Sequence, residues 1–239
     1  MSRVLLTRHA QACFLEADYD QLSAVGEAQA RQLGEYWAQR KLIFQRVYSG
    51  PRVRQRETAR IVCEAYYKSG VPIPEPMVMP EFDEYQGEAV LEKSLPGLLE
   101  NDKEIQKLQA AFQDCASPKE RHRNFQKLFE AVIGQWVAGA ISVPGVETWP
   151  EFCARVNGGI GRFISHARPG ERAVIFTSGG PIAVAMQRAL NLSPQDTLRV
   201  TWMSRNCSYS EFIFSGARFT LSAFNAFPHL DDPSMLTYR

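Results

Sequence analysis

No stretch of this sequence stays apolar for anything near the about 20 residues that a membrane-spanning helix needs, and none shows an internal repeat or low complexity. Neither sign of charge is in excess. Lysine and arginine total 27 against 26 aspartates and glutamates, a net of +1, which leaves no global field for nucleic acid or an anionic membrane. Cysteine is sparse: Cys13, Cys63, Cys115, Cys153 and Cys207 are scattered and odd in number. That pattern argues against a disulfide framework and for a reducing cytoplasm. Without a CxxC or HxxxH pair it also predicts no metal site and no cofactor. The first residues lack the character of a signal peptide, because Arg8 interrupts the apolar stretch only a few residues after Arg3. What remains is an ordinary globular composition over 239 residues, enough for one large domain or two small ones.

What is present is an alternation of strands and helices. Residues 3–7 are a short apolar run and predict a buried strand, followed by a polar loop at 18–23. From 24 to 40, Val25, Ala28, Leu33, Tyr36 and Trp37 share a helical face. A second strand at 46–50 leads to a helix at 51–67, with Pro51 suited to its first turn. Four prolines within 71–80 predict an extended connection. Residues 89–140 read as helices without a strand, with stripes through Ile105, Leu108, Phe112 and Cys115 and through Phe125, Leu128, Phe129, Val132, Ile133 and Trp136. Ser117-Pro118-Lys119-Glu120 and Thr148-Trp149-Pro150-Glu151 are capping-box signatures. Ala173 to Thr177 reads as a central strand running into Ser178-Gly179-Gly180-Pro181 and a helix at 182–190. Alternating segments at 208–214 and 218–224, split by Ser215-Gly216, predict an antiparallel hairpin at the sheet edge. The expectation is a single domain over 1–239: a three-layer α/β/α sandwich with a mostly parallel sheet, an antiparallel edge hairpin and a helical insertion at about 89–140.

The first strand ends on Arg8 and His9, two side chains out of place in an apolar run. In an open α/β sheet ligands bind beyond the carboxyl ends of the strands. Arg8 and His9, then Arg52, Arg54 and Arg56, then Ser178 and its glycines all fall at such ends. Guanidinium forks suit phosphate, and a helix start at Gly179 offers free N–H groups to the same anion. Histidine among arginines is kept neutral at pH 7.

The ordered set resembles the histidine phosphatase superfamily, the phosphoglycerate-mutase-like fold. Its parts here are Leu6-Thr7-Arg8-His9-Ala10, then Leu22-Ser23, Gly26, Gln29-Ala30 and Leu33-Gly34, then Ser49-Gly50 with Arg54-Gln55-Arg56-Glu57-Thr58-Ala59, then Gly145-Val146-Glu147-Thr148 and the strand-GG-P turn. The resemblance implies a phosphatase in which His9 attacks phosphorus and carries the phosphoryl group as phosphohistidine. Arg8 and Arg54 hold the phosphoryl oxygens, with Ser178 and the Gly179 N–H completing the cradle. A carboxylic acid after the second helix protonates the leaving oxygen and then activates water. Within Phe82-Asp83-Glu84-Tyr85 it is Glu84, with Glu81 as competitor.

The departures fall at defined positions. Ser178 stands where the family has a second histidine, Ala10 where it has glycine, and Ala12 and Leu15 where a hydroxyl and an asparagine are common. A serine hydroxyl donates one hydrogen bond but adds no charge. Of three other readings, two remain open. The first is a phosphate-binding or regulatory module that has lost catalysis. The second is a serine esterase using Ser178 with Asp196 and His229 in α/β-hydrolase order, although Phe176 occupies the elbow's glycine position. The third, a cysteine-phosphatase loop at Cys115 to Arg121, fails because the segment contains proline, no glycine and no preceding strand. The expectation is a metal-independent cytoplasmic phosphomonoesterase acting on a phosphorylated small molecule or phosphopeptide, with neither nucleic acid nor membrane as partner. Its specificity is expected from the insertion.

Overall fold

The computed structural model describes residues 1–13 and 20–238. Part of the loop expected at 18–23, and all of Leu15, lie outside the described residues. Two compact units emerge, one formed by residues 1–84 with 155–239, the other by residues 85–154, which contain the whole span of the expected insertion.

The larger unit is built on a six-stranded sheet of order β3-β2-β4-β1-β5-β6. Its strands are β1 (Ser2–Arg8), β2 (Arg46–Ser49), β3 (Met77–Val78), β4 (Arg172–Thr177), β5 (Tyr209–Ser215) and β6 (Arg218–Ala226). β1, β2 and β3 run parallel through β4, with Leu6 opposite Ile175 and Tyr48 also opposite Ile175 from the other side. β5 and β6 form the antiparallel edge hairpin. β1 and β4 are almost wholly buried, as continuous apolar runs in a central parallel pair must be. The mixed α/β sheet with its edge hairpin agrees with the expected fold.

Helix α1 (Ala24–Gln39) is capped by Ser23, whose side chain accepts from Gly26 N. Its buried face runs through Gly26, Gln29, Ala30, Leu33, Gly34 and Trp37, so the expected stripe through Val25 and Ala28 is rotated. The reason is close packing. A Cβ on Gly34 would stand 2.7 Å from the Ala65 Cβ of helix α2 (Val53–Lys68), so the contact face is made of small residues. Leu33, Trp37, Phe44, Val62, Tyr66 and Phe176 form the core between these helices and the sheet.

Three boundaries differ from expectation. α2 begins at Val53, not Pro51, because the Gln55 side chain accepts from Arg52 N and closes the first turn there. The connection expected at 71–80 contributes β3, two residues that pair with Tyr48 and Ser49 where the prolines pause. The helix expected from 182 starts at Gly179: α7 (Gly179–Leu190) accommodates Pro181 in its first turn, where an N–H has no intrahelical partner anyway.

The smaller unit holds α3 (Gly87–Asn101), α4 (Lys103–Gln113) and α5 (Pro118–Val137). The capping box at Thr148 forms in full, and at Ser117 the Glu120 carboxylate accepts from Ala116 N instead of from the cap residue. The Ser117 side chain accepts from Glu120 N, while Thr148 N donates to the Glu151 carboxylate at 2.7 Å at the start of α6 (Trp149–Ser165). Within this unit Tyr85 stacks on Trp136, with ring centroids 5.5 Å apart. A last helix, α8 (Pro194–Met203), capped by Ser193, went unanticipated.

Candidate active site

His9 follows the last residue of β1 and is pinned by its backbone. Its N–H donates to Thr177 O at 2.7 Å, and its carbonyl accepts from Cys207 N at 3.2 Å. The side chain is buried, and Nδ1 lies 2.8 Å from the Ala10 carbonyl. A carbonyl only accepts, so Nδ1 carries the ring hydrogen and Nε2 the lone pair. Arg54, a donor only, points Nε at that lone pair from 3.2 Å. Burial first, then the Arg54 and Arg8 guanidinium groups, hold His9 well below the usual imidazole value of 6.5. The ring is therefore neutral, with its lone-pair nitrogen turned toward cationic groups.

Alanine in place of the motif's glycine is accommodated. Ala10 is fully buried, and its N–H donates to Thr58 Oγ1 at 3.0 Å, which in turn donates to the Arg54 carbonyl at 2.7 Å. One threonine thus ties Ala10, whose carbonyl orients His9, to the turn that carries Arg54.

Of the three arginines expected around α2, only Arg54 turns to His9. Arg52 donates to the Asp83 carboxylate at 2.6 Å, and Arg56 is exposed. Arg8, half-buried beside His9, donates to the Ser204 carbonyl. Asp20 accepts from Arg54 Nη1 and from Val53 N, each at 2.8 Å, so one carboxylate caps α2 and fixes the guanidinium.

The segment carrying the candidate acid is stitched down. The Phe82 carbonyl accepts from Thr177 Oγ1 at 2.8 Å and from Gln55 Nε2 at 3.3 Å. Arg155 reaches the carbonyls of Glu81 and Asp83 at 3.0 and 3.1 Å. The two glutamates are thereby sent apart. Glu84 Oε2 accepts from Gly180 N at 3.1 Å, at the start of α7 beside Ser178 and Gly179. Glu81 pairs with Arg162 of α6. Ser178 is buried, and its Oγ accepts from Gln55 Nε2 at 2.8 Å.

His9, Arg8, Arg54, Glu84, Ser178 and Gly179 thus sit at, or are linked to, the carboxyl ends of β1, β2 and β4. The residues of the esterase reading keep other company. Asp196 bonds Ser193 and Arg199 at the start of α8, and His229 lies against Tyr36 with ring centroids 6.1 Å apart. Asp20, Gln55 and Thr58 were not singled out from the sequence. Gln55 and Thr58 lie inside the quoted arginine motif, but the Gln55 bond to Ser178 spans 123 residues, and Asp20 acts across 34 residues of chain, so neither partner is signalled locally.

The site thus gathers a neutral histidine and two arginines at the carboxyl edge of an α/β sheet. Residues 4–138 and 111–226 match the model of the histidine phosphatase superfamily (branch 1), and the chain belongs to that family. Solved structures of the same fold include Bacillus stearothermophilus YhfR, 17% identical, with TM-score 0.65 over 97% of this chain and 100% of that one. Phosphoglycerate mutase from Bacillus anthracis is 16% identical, with TM-score 0.61 over 96% and 95%. Mycobacterial glucosyl-3-phosphoglycerate phosphatase is 18% identical, with TM-score 0.59 over 94% and 98%. No curated protein matches this sequence.

Proposed function

We propose that this protein hydrolyses phosphomonoesters through a phosphohistidine on His9, without a metal. The lone pair of Nε2 attacks phosphorus and the ester P–O bond breaks. Glu84 gives its proton to the departing oxygen. Glu84 then takes a proton from water, the water oxygen attacks phosphorus, and the N–P bond breaks to release inorganic phosphate and free His9. Arg8, Arg54, Ser178 and the Gly179 N–H hold the phosphoryl oxygens as charge shifts among them.

The observation that carries this reading is the tautomer of His9. Its Nδ1 hydrogen is held by Ala10, and its Nε2 lone pair faces the Arg54 guanidinium. Assignment of the acid to Glu84 rests on its bond to Gly180 N, while Glu81 is engaged by Arg162. The substrate is proposed to be a phosphorylated small molecule or phosphopeptide, by analogy with relatives such as the glucosyl-3-phosphoglycerate phosphatase.

One observation favours the non-catalytic reading: Ser178 brings no positive charge to the cradle. A screen of phosphorylated metabolites and phosphopeptides with and without EDTA separates the two. Turnover that survives the chelator and disappears in His9→Ala supports the hydrolase. Phosphate binding without any turnover supports the module, and strict dependence on added divalent metal overturns the histidine mechanism.

A further inference from the structure

Gln55 is fully buried on the first turn of α2, and its amide bonds three partners. Its Oε1 accepts from Arg52 N at 3.1 Å, and its Nε2 donates to Phe82 O at 3.3 Å and to Ser178 Oγ at 2.8 Å. The orientation of the amide does not depend on Ser178. An N–H can only donate and a carbonyl only accept, so Arg52 N and Phe82 O together fix which end is oxygen and which nitrogen. Ser178 Oγ is consequently an acceptor toward Gln55, and its own hydrogen must point elsewhere. Among the described residues Ser178 Oγ makes no cap bond to α7 and no other hydrogen bond.

A second observation is steric. A Cβ on Gly50 would meet Gln55 Oε1 at 2.2 Å and the Phe82 carbonyl at 2.6 Å. Glycine at the end of β2 opens the slot in which the Gln55 carboxamide lies. The same slot sets the size of residue 178, because Nε2 already sits at hydrogen-bond distance from a side chain as short as serine.

We propose that Gln55 is a positioning residue that turns Ser178 into a one-way hydrogen-bond donor to the phosphoryl group and restricts position 178 to a small side chain. This rests on the proposed phosphate cradle and deepens it. The neutral donor left by the loss of the second histidine is not a freely rotating hydroxyl, whose hydrogen could face either way. It is polarised by a buried carboxamide, and a hydroxyl that accepts one hydrogen bond is a stronger donor of the next.

Vanadate affinity tests this without requiring turnover. Gln55→Met keeps the volume and removes both amide functions, and it is compared with Ser178→Ala and with the double variant. We expect Gln55→Met to weaken vanadate binding about five- to tenfold in the wild-type background and to have no further effect once Ser178 is alanine. Equal losses in both backgrounds overturn the proposal, because a merely structural glutamine acts regardless of residue 178. If the unaltered protein binds no vanadate at all, the cradle itself fails, and the proposal with it. Thermal melting gives an independent arm. Ser178→His alone lowers Tm, and adding Gln55→Ala recovers most of the loss. A double variant no more stable than Ser178→His shows that Gln55 does not limit the space at 178.

Discussion

Arg54 stands between His9 and Asp20, donating through Nε to the imidazole at 3.2 Å and through Nη1 to the carboxylate at 2.8 Å. The carboxylate fixes the side chain that faces His9, the proposed nucleophile, and it also caps α2 through Val53 N. The two duties separate by substitution. Asp20→Ala loses both, with about 1–2 kcal/mol of stability lost in urea titration. Asp20→Asn restores the cap and most of that stability, since asparagine caps as well as aspartate. Its kcat/KM stays depressed because the ion pair is still missing. Full recovery of kcat/KM in Asp20→Asn contradicts the tether.

The same relationship sets a pH dependence. Burial and two guanidinium groups depress His9, so with His9 as the proposed nucleophile its protonation is expected to limit kcat/KM only well below pH 6.5. Removing one cation must move that acid limb toward higher pH. Arg54→Ala is expected to shift it so, besides lowering the rate. An acid limb that stays in place while the rate falls denies the electrostatic part of the argument.

Ser178 and His9 should differ sharply in cost. Ser178→Ala deletes one neutral hydrogen bond and is expected to cost about 1–2 kcal/mol of transition-state stabilisation, roughly five- to thirtyfold in kcat/KM. His9→Ala should abolish turnover and leave the far-UV spectrum intact. A dead Ser178→Ala beside an active His9→Ala returns the serine-esterase reading.

The two glutamates make a paired test. Glu84→Gln keeps the acceptor for Gly180 N but cannot deliver a proton, so kcat falls by about 100-fold or more on substrates with poor leaving groups. It falls much less on an aryl phosphate, whose leaving oxygen needs no proton. Glu81→Gln breaks the contact with Arg162 and changes the rate only slightly. The reverse ranking assigns the acid to Glu81.

His229 supplies a stability signature away from the site. It is buried, and desolvation, outweighing the backbone of Cys207, lowers it from 6.5 to about 4. The folded state thus binds the proton less readily than the unfolded chain. The contribution is fully present above pH 6.5 and is lost as pH falls toward 4, by about 3 kcal/mol at most. His9 acts in the same direction, so the test is a difference: His229→Phe should flatten part of the fall in urea stability across this window. An unchanged slope removes His229 from the acid response.

Apolar runs and caps were legible in the sequence. β1 and β4 announced themselves as uninterrupted apolar segments, and Ser117 and Thr148 as helix starts, because those signals are local. β3 was hidden by its prolines, and α8 by a thin apolar face on which Leu198 is the main buried hydrophobe. His9, Arg8 and Arg54 could be proposed because strand ends and motif spacing point to them. Gln55 and Asp20 could not. A buried carboxamide and a capping carboxylate gain their meaning only when Ser178 and Arg54 are folded against them. The destination of Arg52 was hidden for the same reason, since nothing in a run of three arginines tells which one turns to Asp83.

Trapping of the intermediate tests the central mechanism most directly. Protein mixed with a 32P-labelled aryl phosphate and quenched in alkali during turnover should carry acid-labile, base-stable label on a peptide containing His9, and His9→Ala should carry none. Label on Ser178, or turnover undiminished in His9→Ala, would contradict the phosphohistidine mechanism.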